Sequence, residues 1–341
     1  MKQAISILIL ALLLLSAADP DGIAWAATRG LALLACPWWA LRAPGPLPEA
    51  LAFGFAMIAA LGLPGLDWAL FGLIFALHPW RLTSLASLAL AAGLLGAATM
   101  AVPGQRLLPF ANRNHYAVFV EMSIPLLLFC AERDRRPVLA AGAAILLVAA
   151  IAGGSRTGTI LLLTLVIPLL WRWRNGRWRW TAPTLALAGF SLLFWASPSQ
   201  RILDPLAGDH RLEIWQSALA MIGQRPWCGW GAGEFPLSYP AFALFDNGQF
   251  VNAAHSDWLE WAVELGIPFT VAILAAFSLW LEKNIHFYPS WGILMGAVHA
   301  SVDFPFHVPG LLAFAVALAG SISAHGALIE TESPNRQRRD P

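Results

Sequence analysis

The sequence predicts an all-α, polytopic membrane protein with about twelve transmembrane helices and one large outward loop. Three observations predict it. Of the 341 residues, 58% are hydrophobic and only 12% are charged, against roughly 45–50% apolar and 25% charged in soluble domains. Apolar runs of about 15 to 25 residues recur from end to end, each able or nearly able to cross a hydrocarbon core of about 30 Å as a helix. Basic residues gather in alternate connections between those runs. Helices must make the crossings, because backbone polar groups in lipid need internal partners.

In chain order the runs lie near 4–17, 23–41, 49–63, 67–80, 83–102, 115–130, 138–152, 158–171, 181–196, 256–281, 286–302 and 309–326. The first, with Lys2 before it and Ser16-Ala17-Ala18 after it, has the look of a signal peptide but is kept as a helix. The two short runs flanking Pro64-Gly65 can also form one broken re-entrant element. Arg42, Arg81, the AERDRRP loop, the WRWRNGRWRW loop, Lys283 and the tail NRQRRDP are the basic connections. Short loops rich in Lys and Arg stay in the cytoplasm, so both termini are expected inside and the intervening connections outside. Many of the 17 tryptophans, such as Trp38, Trp39, Trp80, Trp171 and Trp180, sit near run ends, as an interfacial belt requires.

This division gives N-terminal transmembrane helices over 1–111, central transmembrane helices over 112–196, a loop over 197–254, C-terminal transmembrane helices over 255–327 and a cytoplasmic tail over 328–341. The loop has mixed polarity and its own amphipathic stretch, LEIWQSALAMI. Its aromatics Phe235, Tyr239, Phe242, Phe245 and Phe250 argue for a small folded unit or lid. Net charge is +1, so nothing in the charge balance points to nucleic acid. Cys36, Cys130 and Cys228 show neither disulfide nor zinc spacing.

With sidedness assigned, five separated segments carry their polar residues to the outer face. They are PFANRNH with Asn114 and His115, GGSRTG with Arg156, the loop with Arg211, the re-entry with His255 and Asp257, and HASVDFPFHVPG with His299, Asp303 and His307. An arginine in a short outer turn opposes the positive-inside preference. Arg156 either caps helix-end carbonyls or, with Gly153-Gly154 at a helix N-terminus, clamps an anion such as phosphate. Arg211 and Trp215 share one helical face. His255 precedes a helix and is either a capping residue or a general base, since an imidazole titrating near about 6.5 accepts a hydroxyl proton at neutral pH. Asp257 then orients that ring or favours the helix dipole. Glu260 and Glu264 stack below Asp257 on one face, which must look into protein or a wet cavity. Glu264 is expected to pair with arginine. HExxH is absent and the histidines at 299 and 307 are loosely spaced, so no metal is expected. Ser155 with His255 lacks a nucleophile motif.

The string DHRLEIWQSALAMIGQRPWCGWGAGEF followed by AAHSDWLEWAVELGI resembles the O-antigen ligase and O-antigen polymerase family of bacterial envelope proteins. That family shares an Arg, a Trp four residues on, a Pro- and Gly-rich stretch, and a His opening a helix that carries Glu-Leu-Gly. ANRNHYAVFVEMSIPLLL, GGSRTGTI and HASVDFPFHVPG are similar to it as well, so the resemblance covers approximately Asn112 to Pro309. Ser256 departs from it, standing where relatives often carry Asn.

The resemblance implies a GT-C-like transferase of the inner membrane, with the loop in the periplasm. It would move a glycan from undecaprenyl pyrophosphate to another glycan, a lipid A core or a protein hydroxyl. Arg156 and Arg211 would hold the pyrophosphate and His255 would activate the acceptor, with Asn114, Asp257, Glu260 and Asp303 in support and no cofactor. Membrane lipids are the other expected partners. The rival expectation is a transporter or flippase of anionic lipid-linked sugars, which calls for ionisable residues near the bilayer midplane.

Overall fold

The computed structural model describes residues 81–100, 110, 112–173, 210–245, 248 and 250–337. The runs expected near 4–17, 23–41, 49–63, 67–80 and 181–196 lie outside the described residues. Among the described residues the chain is helical throughout, without a strand. The helices are α1 (Leu82–Met100), α2 (Arg113–Arg133), α3 (Pro137–Ala152), α4 (Arg156–Trp173), α5 (Arg211–Gln224), the single turn α6 (Phe235–Ser238), α7 (Asp257–Leu265), α8 (Ile267–Asn284), α9 (Ser290–His299) and α10 (Pro309–Gln337). Short 3₁₀ turns occupy Tyr239–Ala241 and Pro305–His307.

Two of these helices, Leu82–Thr99 and Arg113–Arg133, are long and apolar enough to cross a membrane. Pro137–Ala152, Arg156–Leu169 and Pro309–His325 are shorter apolar helices. α2 is the hub, packed against α1, α3, α4 and α9, and 83% of its apolar window is buried against 33% for α1. Phe119 of α2 stands 4.9 Å from the ring of Phe110 and 4.9 Å from that of Phe314, which joins the residue before α2 to α10 across the helix. α9 lies antiparallel to α2. A side chain at Gly292 would stand 2.8 Å from Glu121 O and from Met122 Cα, so only glycine permits that backbone approach.

The apolar run expected over 256–281 is two helices. Gly266, with φ 86° and ψ 163°, ends α7, and Pro268 lies in the first turn of α8, where its missing N–H does no harm. The run expected over 286–302 is also shorter than expected. α9 has 10 residues and rises about 15 Å, half of a hydrocarbon core.

The break at Gly266 is where the segment 210–254 attaches. Trp230 and Gly231 donate backbone N–H to the carbonyls of Val263 and Glu264 at 2.8 and 2.9 Å, and Ile267 N–H reaches Pro226 O at 2.8 Å. The last carbonyls of α7 thus find partners in the loop. Behind this seam Ile214, Ala218, Met221, Phe235, Tyr239, Ala254 and Val263 form a small core of their own, with Phe242 and Phe245 packed against it. Phe250 is exposed and contributes nothing to it.

A Cβ at Gly266 would lie 2.4 Å from Trp227 O, and its backbone occupies a region open essentially to glycine alone. Gly266→Ala is expected to cost at least about 1–3 kcal/mol, measured as a lower unfolding temperature of the detergent-solubilised chain.

Candidate functional site

The site is built where the first turns of α2 and α7 meet the connector between α9 and α10. Asn112 caps α2, its side chain accepting from Asn114 N–H at 2.9 Å. Asn114 then projects its amide from the first turn and donates to Asp303 Oδ2 at 2.6 Å. Asp303 Oδ1 accepts from Phe304 N–H at 2.9 Å. His255 faces the same carboxylate, Nδ1 to Oδ1 at 3.9 Å, the separation of an ion pair rather than of a hydrogen bond. Phe304 packs edge-on against both His255 and His115, with centroids 5.3 and 5.1 Å away.

His255 takes a left-handed backbone, φ 52°, directly before Ser256, which caps α7. Such a conformation costs a non-glycine residue about 1–2 kcal/mol and persists only where the surroundings enforce it. They do so through Ala254. Its carbonyl accepts from Trp215 Nε1 at 3.0 Å, and its N–H donates to Glu260 Oε2 at 2.7 Å. The imidazole remains 30% exposed, while Asp303 is 1% exposed. Water or a substrate can reach the ring but not its partner carboxylate.

Burial pushes the Asp303 carboxyl up, but the facing His255 ring, the charges of His115 and His299 and the Phe304 N–H overcome it and hold it well below the usual carboxylate range. A carboxylate held ionised beside the ring is the partner that a histidine accepting a proton requires.

Arg211, the first residue of α5, donates through Nη1 to Val302 O and so fixes the backbone next to Asp303. Trp215, one turn on, fixes the backbone next to His255. Arg156 opens α4 at the same end of α2, because Gly158 in that turn packs against Ala117 of α2.

The structure brings Asn114, Arg211, His255 and Asp303 together, and it reassigns Asp257. His255 precedes α7 with a left-handed backbone, Asp257 is the first residue of the helix, and the Asp257 carboxylate is engaged elsewhere. It accepts from Phe306 N–H at 2.8 Å, His307 N–H at 3.1 Å and His307 Nδ1 at 2.5 Å. Asp303, not Asp257, is the carboxylate beside His255.

Glu264 pairs with no arginine among the contacts described. It accepts from Phe235 N–H at 3.4 Å and lies near His307. Glu260, Glu264 and His307 bring donor atoms within 4.8 Å of one another, a spacing compatible with a metal ion. Burial disfavours a charged His307, but Glu260, Asp257 and Glu264 hold its ring well above its ordinary value.

Sequence reasoning passed over one further pair. Glu121 and His299 join Oε1 to Nδ1 at 2.9 Å, both fully buried between α2 and α9. The signal was present as a lone carboxylate in YAVFVEMSIPLLL, since an ionisable residue in an apolar run demands a partner.

Residues 141–274 match the family described as O-antigen ligase. The match spans Arg156, Arg211, His255, Asp257, Glu260 and Glu264, while Asn114, Asp303 and His307 lie beyond its ends. No protein of curated function matches the chain.

Asp257→Ala removes the acceptor for three donors at a site with no solvent. The expected cost is about 3–5 kcal/mol, read as a fall in unfolding temperature much larger than that of Asp257→Asn, which keeps one acceptor oxygen.

Proposed function

We propose, from the match of residues 141–274 to the family described as O-antigen ligase, a membrane glycosyltransferase working at the periplasmic face of the inner membrane. It transfers an oligo- or polysaccharide from undecaprenyl pyrophosphate to an acceptor hydroxyl. The observation that carries the reading is the pairing of a strained, water-accessible His255 with a buried, ionised Asp303. An acid-base histidine with its carboxylate is built for taking a proton from a hydroxyl.

In the reaction, the acceptor oxygen attacks the anomeric carbon as its proton passes to His255. The bond from that carbon to the diphosphate oxygen breaks, and the lipid diphosphate leaves with the electron pair. Arg211 and Arg156 neutralise the charge growing on that leaving group, the part a metal ion plays in other sites, so this step needs no metal at the diphosphate. Attack from the side opposite the leaving group inverts the anomeric centre. Asp303 stabilises the imidazolium, and Asn114 keeps the carboxylate aimed.

Reconstitution with an undecaprenyl-pyrophosphate glycan and a polysaccharide or lipid A core acceptor tests this. His255→Ala is expected to reduce transfer by about 10²–10⁴-fold with the protein still inserted in the membrane. Transfer at the parental rate by that variant would sink the base assignment. Products from the parental chain separate the acceptor classes, a ladder marking polymerisation and a single addition marking ligation.

A further inference from the structure

We propose that Glu260, Glu264 and His307 form a binding site for one divalent cation of the zinc class, with Asp257 orienting the histidine. The inference stands apart from the glycan-transfer reading. The first observation is distance. His307 Nε2 lies 3.6 Å from Glu260 Oε1 and 3.7 Å from Glu264 Oε2, and Nε2 is buried without a hydrogen-bond partner. Hydrogen bonds end near about 3.2 Å, whereas donor atoms around a tetrahedral zinc at about 2.0–2.1 Å stand about 3.4 Å apart. The two separations suit an ion pair and equally two ligands of one tetrahedral ion, and all three donor atoms lie within 4.8 Å of one another.

The second observation is how each remaining polar atom is used. Glu260 has Oε2 fixed by Ala254 N–H, and Glu264 has Oε1 near Phe235 N–H. Each carboxylate therefore turns its other oxygen to the cluster. His307 gives Nδ1 to Asp257, which leaves Nε2 facing the two glutamates. A ligating histidine bonded through its other nitrogen to a carboxylate is the usual support of a metal site.

The third observation is charge. Glu260 and Glu264 are each 4% exposed and stand four residues apart on α7, where like charges repel. Buried carboxylates in such a pair call for positive charge, which His307 supplies while protonated and which a divalent cation supplies by displacing the Nε2 proton. One nitrogen and two oxygen donors suit zinc, with a fourth position left for water. His307, at 20% exposure, leaves a way in. The ion would lock α7 to the connector that bears Asp303, so its effect on His255 is one of position.

The test is a titration of tag-free, full-length chain in lipid nanodiscs, stripped with chelator, with cobalt(II) chloride as the probe. Visible d–d absorption should saturate at one equivalent, and zinc should displace it and raise the unfolding temperature. E260Q and E264Q should each weaken cobalt binding at least about tenfold, and D257N about 10–100-fold. E213Q, on the exposed face of α5, should bind as the parent does.

Folding of the variants is checked by their elution as monodisperse particles. If one fails to fold, the parental titration alone decides. A folded parental chain that gives no saturable cobalt spectrum overturns the site, as does undiminished binding in folded E260Q or E264Q.

Discussion

Asp257 is tied into the protein at both its backbone and its side chain. Its N–H is shared between the carbonyls of Ala300 and Asp303 at 2.9 and 3.1 Å, and its carboxylate holds Phe306 and His307. The start of α7 and the connector after α9 are thereby one rigid piece, without solvent to loosen it. Everything reactive hangs on that joint. His255 lies two residues before it on one strand of chain, and Asp303 lies between its two anchor points on the other. An isolated buried carboxylate would be ruinous, but one whose lone pairs are taken by two backbone N–H groups and a ring nitrogen stabilises its surroundings.

α5 completes the assembly from the loop side, and its sequence explains itself once the contacts are known. Arg211 grips the backbone beside Asp303 and Trp215 grips the backbone beside His255. An Arg and a Trp one turn apart thus set the spacing between base and carboxylate, two groups that meet only at 3.9 Å. The proposed work of Arg211 on a diphosphate would come in addition to this hold on Val302 O.

Much of the plan was legible in the residues alone, for reasons that can be stated. Runs such as LTSLASLALAAGLLGAATM can only be helices in lipid, and α1, α2, α3, α4 and α10 fall on their runs. The expectation that Asn114, Arg211, His255 and Asp303 converge rested on the alternation of charge between runs, and among the described residues these four do lie together. Partner choice was not legible. His255 and Asp257 look like neighbours in AAHSDW, yet the left-handed turn at His255 comes before α7 begins, and the partners of both come from the connector beyond α9. The break at Gly266 was visible in principle, since GIP joins a residue free to take positive φ to one that cannot donate at a helix start. It was hidden by the apolar composition on both sides of it.

Exposure separates two kinds of ionisable group here. Glu121 is eight residues into α2, about 12 Å from its start, and is closed off with His299. His299 is the last residue of α9 and its charge acts on Asp303, but burial closes both members of the pair to a substrate. The set around His255 lies at helix ends, where a ring can be both held and reached. A transporter needs its ionisable groups on broken helices near the midplane, alternately open to each side. The break at Gly266 instead stitches α7 to the loop. The left-handed strain at His255 fits the same division of labour. It is enforced through Ala254 by Trp215 and Glu260 rather than by contact with Asp303, so the ring can take up and release a proton without the backbone having to move.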